Sequence, residues 1–204
     1  MDNERPAPGW LLLLAQLPGS PSSARVALWR RLRGIGAAGL LNGAWVLPCD
    51  AAHAEFFERL RETVHTQGGT AFVLTVSAAS PEVNETIVRR FCADRSREYD
   101  EFAERCAAFL DEIGKETKAG KFTFAELEEG EQDLEKLARW LAKVQARDFF
   151  PDERRPQSAE MLEHCRAVLE GYAWAVYAAE GVRAPAEDAP AEEPSGRDQA
   201  LRPE

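Results

Sequence analysis

Residues 22–48 read "SSARVALWRRLRGIGAAGLLNGAWVLP". A helix pattern runs directly into a hairpin pattern, and that order decides the fold. Ser22 or Ser23 supplies an N-cap and Gly36 a stop. Between them Leu28, Leu32 and Ile35 recur at helical spacing, with Val26 and Trp29 beside them. Asn42-Gly43 then separates two short apolar runs. A two-residue type I′ turn needs positive φ at both central positions, which Asn and Gly tolerate, so these runs read as a β-hairpin.

The flanks complete a unit. Upstream, "GWLLLLAQLPG" (9–19) reads as a strand buried on both faces, as a central strand is, and Pro18-Gly19 closes it. Downstream, Asp50 caps "AAHAEFFERLRETVHTQ" (51–67), with Phe56, Phe57, Leu60 and Val64 on one side and Gly68-Gly69 as the stop. "TAFVLTVSA" (70–78) is a last strand, rich in β-branched residues. The order β-α-β-β-α-β over residues 9–80 is the ferredoxin-like split unit of an α+β protein. Its two helices cover one sheet face and leave the other for solvent, a second subunit or another part of the chain.

The period changes at Ser80-Pro81. Tyr99, Phe102, Cys106, Phe109 and Ile113 follow 3-4-3-4 spacing, a packing seam. Gly114 and Gly120 bracket a polar stretch that reads as a loop. "TFAE" (123–126) has the form of a capping box, and Leu127, Leu134, Leu137, Leu141 and Val144 carry a second seam to about Arg147. "DFFPDERRPQ" reads as a loop with two prolines, after which Ser158 caps a third helix bearing Leu162, Cys165, Leu169, Tyr172 and Val176. Residues 81–182 are thus expected to form an antiparallel bundle of about three long helices. Residues 1–8 read as an N-terminal tail. Residues 183–204, rich in Pro, Ala and acid, read as a disordered one.

The 204 residues carry a formal net charge of -10, unevenly spread. Residues 1–80 hold seven Arg against six Asp and Glu, whereas residues 81–182 hold fifteen Lys and Arg against twenty-three acids. An anion would therefore dock at the front, and the acidic remainder repels a polyanion. The longest apolar run, "WLLLLAQL", is far short of the roughly 20 residues of a membrane span. No basic segment precedes it, so no signal peptide is expected and a cytoplasmic location is. Cys49, Cys92, Cys106 and Cys165 form no CxxC pair and read as reduced thiols, with Cys92 and Cys106, fourteen residues apart on roughly one helix face, as core packing.

Four arginines of the opening stretch form the candidate binding site: Arg25, Arg30, Arg31 and Arg33. Arg30 and Arg33 share a helix face, and Arg31 points away from Leu28 and Leu32. Guanidinium forks bind phosphate or a tetrahedral oxyanion bidentately; a helix lying on a sheet also turns charged residues to water. The acidic run "ELEEGEQDLEK" (126–136) reads as a solvated face, or as a partner for Arg97 and Arg147. Arg97, Glu128, Arg147 and Asp148 are the candidates for structural ion pairs. Metal and catalytic signals are absent in form. Glu62-x-x-His65 occurs once, Cys49 and His53 lack a second ligand pair, and no Gly-x-Ser-x-Gly, Walker or dinucleotide glycine pattern is present. No enzyme activity, cofactor or metal is expected.

Taken together, residues 9–48, "FTFAELEEGEQDLEKLARWLAKVQARDFF" and "LEHCRAVLEGYAWAVY" resemble the N-terminal region of the chromate-resistance regulator family ChrB. The resemblance spans roughly residues 9–182. It implies a chromate-responsive transcriptional regulator that binds DNA, at the promoter of a chromate transporter gene, or chromate itself. The front unit is similar, more faintly, to parts of the phenylacetate repressor PaaX and of CRISPR spacer-acquisition endonucleases. Those nucleases place an aspartate at the end of the first strand, where this chain has "LLAQLPG", so nuclease chemistry is not expected. By the same analogy the chain is expected to form a homodimer. The alternative is a non-catalytic interaction module whose partner docks on the helical bundle.

Overall fold

The computed structural model describes residues 9–19 and 22–182. The expected tails at 1–8 and 183–204 lie outside the described residues. Four strands and five helices follow one another as β1 (Trp10–Gln16), α1 (Ser22–Ile35), β2 (Ala38–Leu41), β3 (Ala44–Pro48), α2 (Ala51–Thr66), β4 (Thr70–Val76), α3 (Pro81–Ala119), α4 (Phe124–Ala146) and α5 (Arg154–Ala179). The chain is an α+β protein with a βαββαβ unit followed by helices.

The sheet is antiparallel throughout, in the order β2-β3-β1-β4. The Asn42-Gly43 turn joins β2 to β3 as the dipeptide dictates, with Gly43 at φ 80. Gly43 also returns a carbonyl to the Ala15 amide at 2.8 Å, and a Cβ there would meet the Ala15 oxygen at 2.6 Å. Leu11 and Leu13 face the two helices and meet Leu32, Phe57, Leu60 and Val64 in one core. Of the apolar positions of α1 only Leu32 is fully buried, and Val26 and Trp29 are exposed.

The residues between these point to the other face, and half of that face is covered. Ile87 and Phe91 of α3 pack on Trp10, Ala38 and Val46, with Phe149 and Phe150 alongside. Trp10 stacks on Phe91 with ring centroids 5.7 Å apart and donates its indole N–H to Asn84 at 2.9 Å. At the other end of the same face Leu14, Phe72 and Leu74 stay exposed.

α3 runs 39 residues from an N-cap at Ser80, with Pro81 in its first turn, to Gly120 at φ 68. The loop expected between Gly114 and Gly120 is absent, because Gly114 lies inside the helix. A single glycine costs a helix about 1 kcal/mol, less than the burial of Phe109 and Ile113 on the preceding turns sustains. Thr123 caps α4 through the Glu126 amide. α5 begins at Arg154, a turn ahead of the expected cap at Ser158, which is buried instead. Pro156 is no obstacle, since the first helical turn needs no amide donors. The three seams close on one another. Phe102, Cys106, Val144, Cys165 and Val176 are fully enclosed, and Cys165 Sγ lies 3.9 Å from the Cys106 carbonyl. Burial and the neighbouring Cys165 push the Cys106 thiol up to about 12. Among the described residues no helix is long and apolar enough to cross a membrane.

Two glycines of one helix end separate backbone need from propensity. Gly36 sits at φ 87, and a Cβ there would lie 2.6 Å from Arg147 Cβ and 3.0 Å from its carbonyl oxygen. Gly34 has no neighbour within 4 Å. Gly36→Ala is expected to lose about 1–3 kcal/mol in urea denaturation, whereas Gly34→Ala gains about 0.5–1 kcal/mol.

Candidate functional site

The site is built where α1 ends against α3 and α4. Gly36 terminates α1 and lets Arg147, the C-cap of α4, close over it. Arg33 in the last turn of α1 reaches α3 and donates to Asp94 Oδ2 at 2.6 Å. Arg97 holds the other Asp94 oxygen. One turn on, Glu98 accepts from Arg147 through Nη2 at 3.0 Å and Nε at 3.3 Å, a two-point fork. Arg95 Nη1 lies 2.8 Å from Glu98 Oε2, but not in line to donate, and it is a buried nitrogen without a hydrogen-bond partner. Beside this group the Tyr99 hydroxyl donates to Asp148 Oδ2 at 2.8 Å. Burial, then the hydrogen bond to Asp148, raises the Tyr99 phenol well above its ordinary range.

The charges do not balance. Arg33, Arg95, Arg97 and Arg147 face two carboxylates, Asp94 and Glu98. Asp94 is 3% and Arg95 5% exposed, so these two sit out of water, while the Arg97 side chain is 68% and that of Arg33 30% exposed. Burial pulls the Arg95 guanidinium below its usual range; Glu98 opposes that shift, while Arg147 and Arg33 add to it. A buried, incompletely bonded guanidinium is costly and is chemically a donor awaiting an acceptor. Oxyanions are the acceptors that match its fork.

The arginines of α1 are not brought together as one patch. Arg25 donates to the Pro18 and Gly19 carbonyls at 3.3 and 2.7 Å and so ties down the β1–α1 connection. It lines a cavity of about 1000 Å³ with Leu14, Val26, Trp29, Leu41 and Phe72. Arg30 is exposed, and Arg31 donates to Thr63 Oγ1 of α2 at 3.3 Å. Arg33 alone turns inward. Arg97 and Arg147 do form ion pairs, with Asp94 and Glu98. Glu128 instead accepts from Gln132 at 3.3 Å, and Asp148 bonds Tyr99. Asp133 and Glu135 of the acidic run pair locally with Lys136 and Arg139. Asp50 caps α2 by accepting from the His53 amide at 2.8 Å, and His53 Nδ1 lies 2.9 Å from the Pro48 carbonyl and 2.6 Å from Asp50 Oδ2.

Asp94, Arg95 and Glu98 escaped the reading of the sequence. The signal was present in "FCADRSREY" (91–99). Between Phe91 and Tyr99 the seam position falls on Asp94 and Arg95, and charged residues at a seam position must be paired when buried.

Elsewhere, Glu116 of α3 is buried near Glu126 of α4 beside a cavity of about 700 Å³. Burial, then the hydrogen bond and charge of Glu126, raises its carboxyl above the ordinary range. A raised carboxyl binds its proton more tightly when folded, so its contribution to stability is present at acid pH and lost as pH rises through the folded value. Glu116→Gln, which mimics the protonated form, is expected to raise the urea midpoint at pH 7 and to leave it unchanged at pH 4. At the junction, Glu98→Gln leaves Arg95 and Arg147 without their counter-charge and is expected to cost about 3 kcal/mol. Asp111→Asn, which breaks an exposed pair with Lys115, leaves the midpoint where it was.

The chain matches the family described as "Protein ChrB, N-terminal" over residues 25–183. It is 29% identical over 150 residues to Protein ChrB of Cupriavidus metallidurans; those residues make up 72% of this chain and 42% of that relative. The chain thus spans about two-fifths of the length of the curated relative it matches. No solved structure matches it.

Proposed function

The chain belongs to the ChrB N-terminal family, which is related to chromate resistance, and on that premise we propose that it is a chromate-responsive regulatory protein whose oxyanion-sensing group is the junction of Arg33, Arg95 and Arg147. The observation that carries this reading is the buried Arg95 guanidinium, whose Nη1 lacks a hydrogen-bond partner. Chromate is a tetrahedral dianion at neutral pH. It would offset the excess charge and accept from forks now shared between two carboxylates. Arg33 comes from the sheet unit, Arg95 from α3 and Arg147 from α4. An anion held by all three changes the relative stability of their arrangement by its differential affinity for it.

DNA is the second partner in this reading, and it would approach from the front. The segment 81–182 is strongly acidic and repels phosphates. Arg30 and Arg31 on the exposed side of α1 are the groups that remain for the backbone of a promoter duplex. Phosphate contacts of this kind weaken steeply with salt.

Calorimetry of the full chain with chromate is expected to show saturable binding. Chromate at a hundred times its dissociation constant is expected to raise unfolding stability by about 2.7 kcal/mol. Arg95→Met, which keeps the bulk of the stem, is expected to lose both effects. Absence of heat and of stabilisation in the wild-type chain rejects the oxyanion reading; retained binding in Arg95→Met removes this junction from the site. In gel shifts on the promoter of an adjacent chromate transporter gene, Arg30→Ala with Arg31→Ala is expected to weaken binding uniformly and to lower its salt dependence.

A further inference from the structure

The sheet has two edges, and the protein treats them differently. β2 is four residues long, carries a bulge between Gly39 and Leu41, and lies against α3. Each of these is a known protection for an edge strand. β4, although α2 lies against it, has neither the shortness nor the bulge. It is seven residues long, pairs with β1 in unbroken register, and contains no charged residue and no proline.

The bonding direction of β4 follows from its neighbours. The Ala15 amide donates across to Gly43, on the β3 side. In an antiparallel ladder successive residues alternate between the two sides, so Trp10, Leu12, Leu14 and Gln16 bond to β4. Their partners Val76, Leu74, Phe72 and Thr70 therefore turn inward. Ala71, Val73 and Thr75 direct their amides and carbonyls outward. His65 Nε2 lies 3.2 Å from the Ala71 oxygen, which keeps a second lone pair.

We propose that β4 pairs antiparallel with β4 of a second copy of the chain, Val73 against Val73, so that the two sheets become one. In this register Ala71 meets Thr75 of the second copy and each pair exchanges two backbone bonds. Phe72, 58% exposed, comes to lie opposite Leu74 of the second copy, 44% exposed. Both side chains are on the open face, so the pairing is self-complementary and buries the apolar residues that α3 leaves uncovered. Charge permits this edge. Two copies of a chain with net charge -10 repel each other. None of the four strands carries a charged residue, so copies can approach there without that penalty.

Sedimentation equilibrium of the full chain is expected to give the mass of two chains. Phe72→Lys with Leu74→Lys places like charges directly opposite in both symmetric pairs. It is expected to raise the dimer dissociation constant roughly a hundredfold with an unchanged circular dichroism spectrum. In a Cys49→Ser background, Phe72→Cys with Leu74→Cys places thiols across a non-hydrogen-bonded pair, the close spacing that a disulfide needs. Mild oxidation is expected to give covalent dimers. A wild-type chain that is monomeric at every concentration overturns the proposal. So does a dimer that the lysines leave intact, or one that the cysteine pair fails to cross-link; the last two results would move the interface to another face. None of these readings depends on chromate or DNA, so their failure leaves the regulatory reading standing.

Discussion

Trp10 stacked on Phe91 is the contact on which the arrangement of the two halves depends. The second face of this βαββαβ sheet is lined by apolar residues, which favours covering it. This chain covers only the Trp10 end of that face, with the start of its longest helix and the Phe149-Phe150 pair that follows α4. The phenylalanines return from the far end of the α3–α4 excursion to the same place as Phe91. One aromatic cluster thus sets where α3 leaves the sheet and where α4 comes back to it. The bundle is then assembled on a helix whose position the sheet has already fixed.

The polar junction sits directly beyond that cluster and depends on it. Asp94 and Arg95 are one turn past Phe91, which brings them under α1 and next to the end of α4. Burying Arg95 with Asp94 among partly exposed guanidiniums is not a route to stability, since desolvation of ions of this kind consumes most of what their attraction returns. A core of the same volume made of apolar side chains would hold the halves together as well. The retention of charge there is what makes the junction a candidate for chemistry.

Much of the fold could be read from local pattern. Asn42-Gly43, the Ser80-Pro81 start and the three 3-4 seams each report a requirement of the backbone nearby, and the structure has them in those places. Gly114 and Ser158 misled for a shared reason. Each carries a local preference worth about 1 kcal/mol, and tertiary burial of Ile113 on one helix and of Ser158 itself on another outweighs it. The binding site was less legible. Arg33 looked like its neighbours Arg30 and Arg31, and only the packing of α1 against α3 turns it inward to Asp94. No spacing within one segment encodes a contact between residues 61 positions apart.

α3 has a mechanical consequence as an unbroken rod of 39 residues. It is clamped to the sheet near one end, at Ile87 and Phe91, and carries α4 and α5 along the rest. From Arg95 to Gly120 the axis extends about 37 Å, so a tilt of roughly 5° at the clamp displaces the far end by about 3 Å. The charged junction lies close to the pivot. A shift there too small to disturb the packing of the sheet would be amplified by the length of the rod, so the far end of the bundle would travel further than the junction itself.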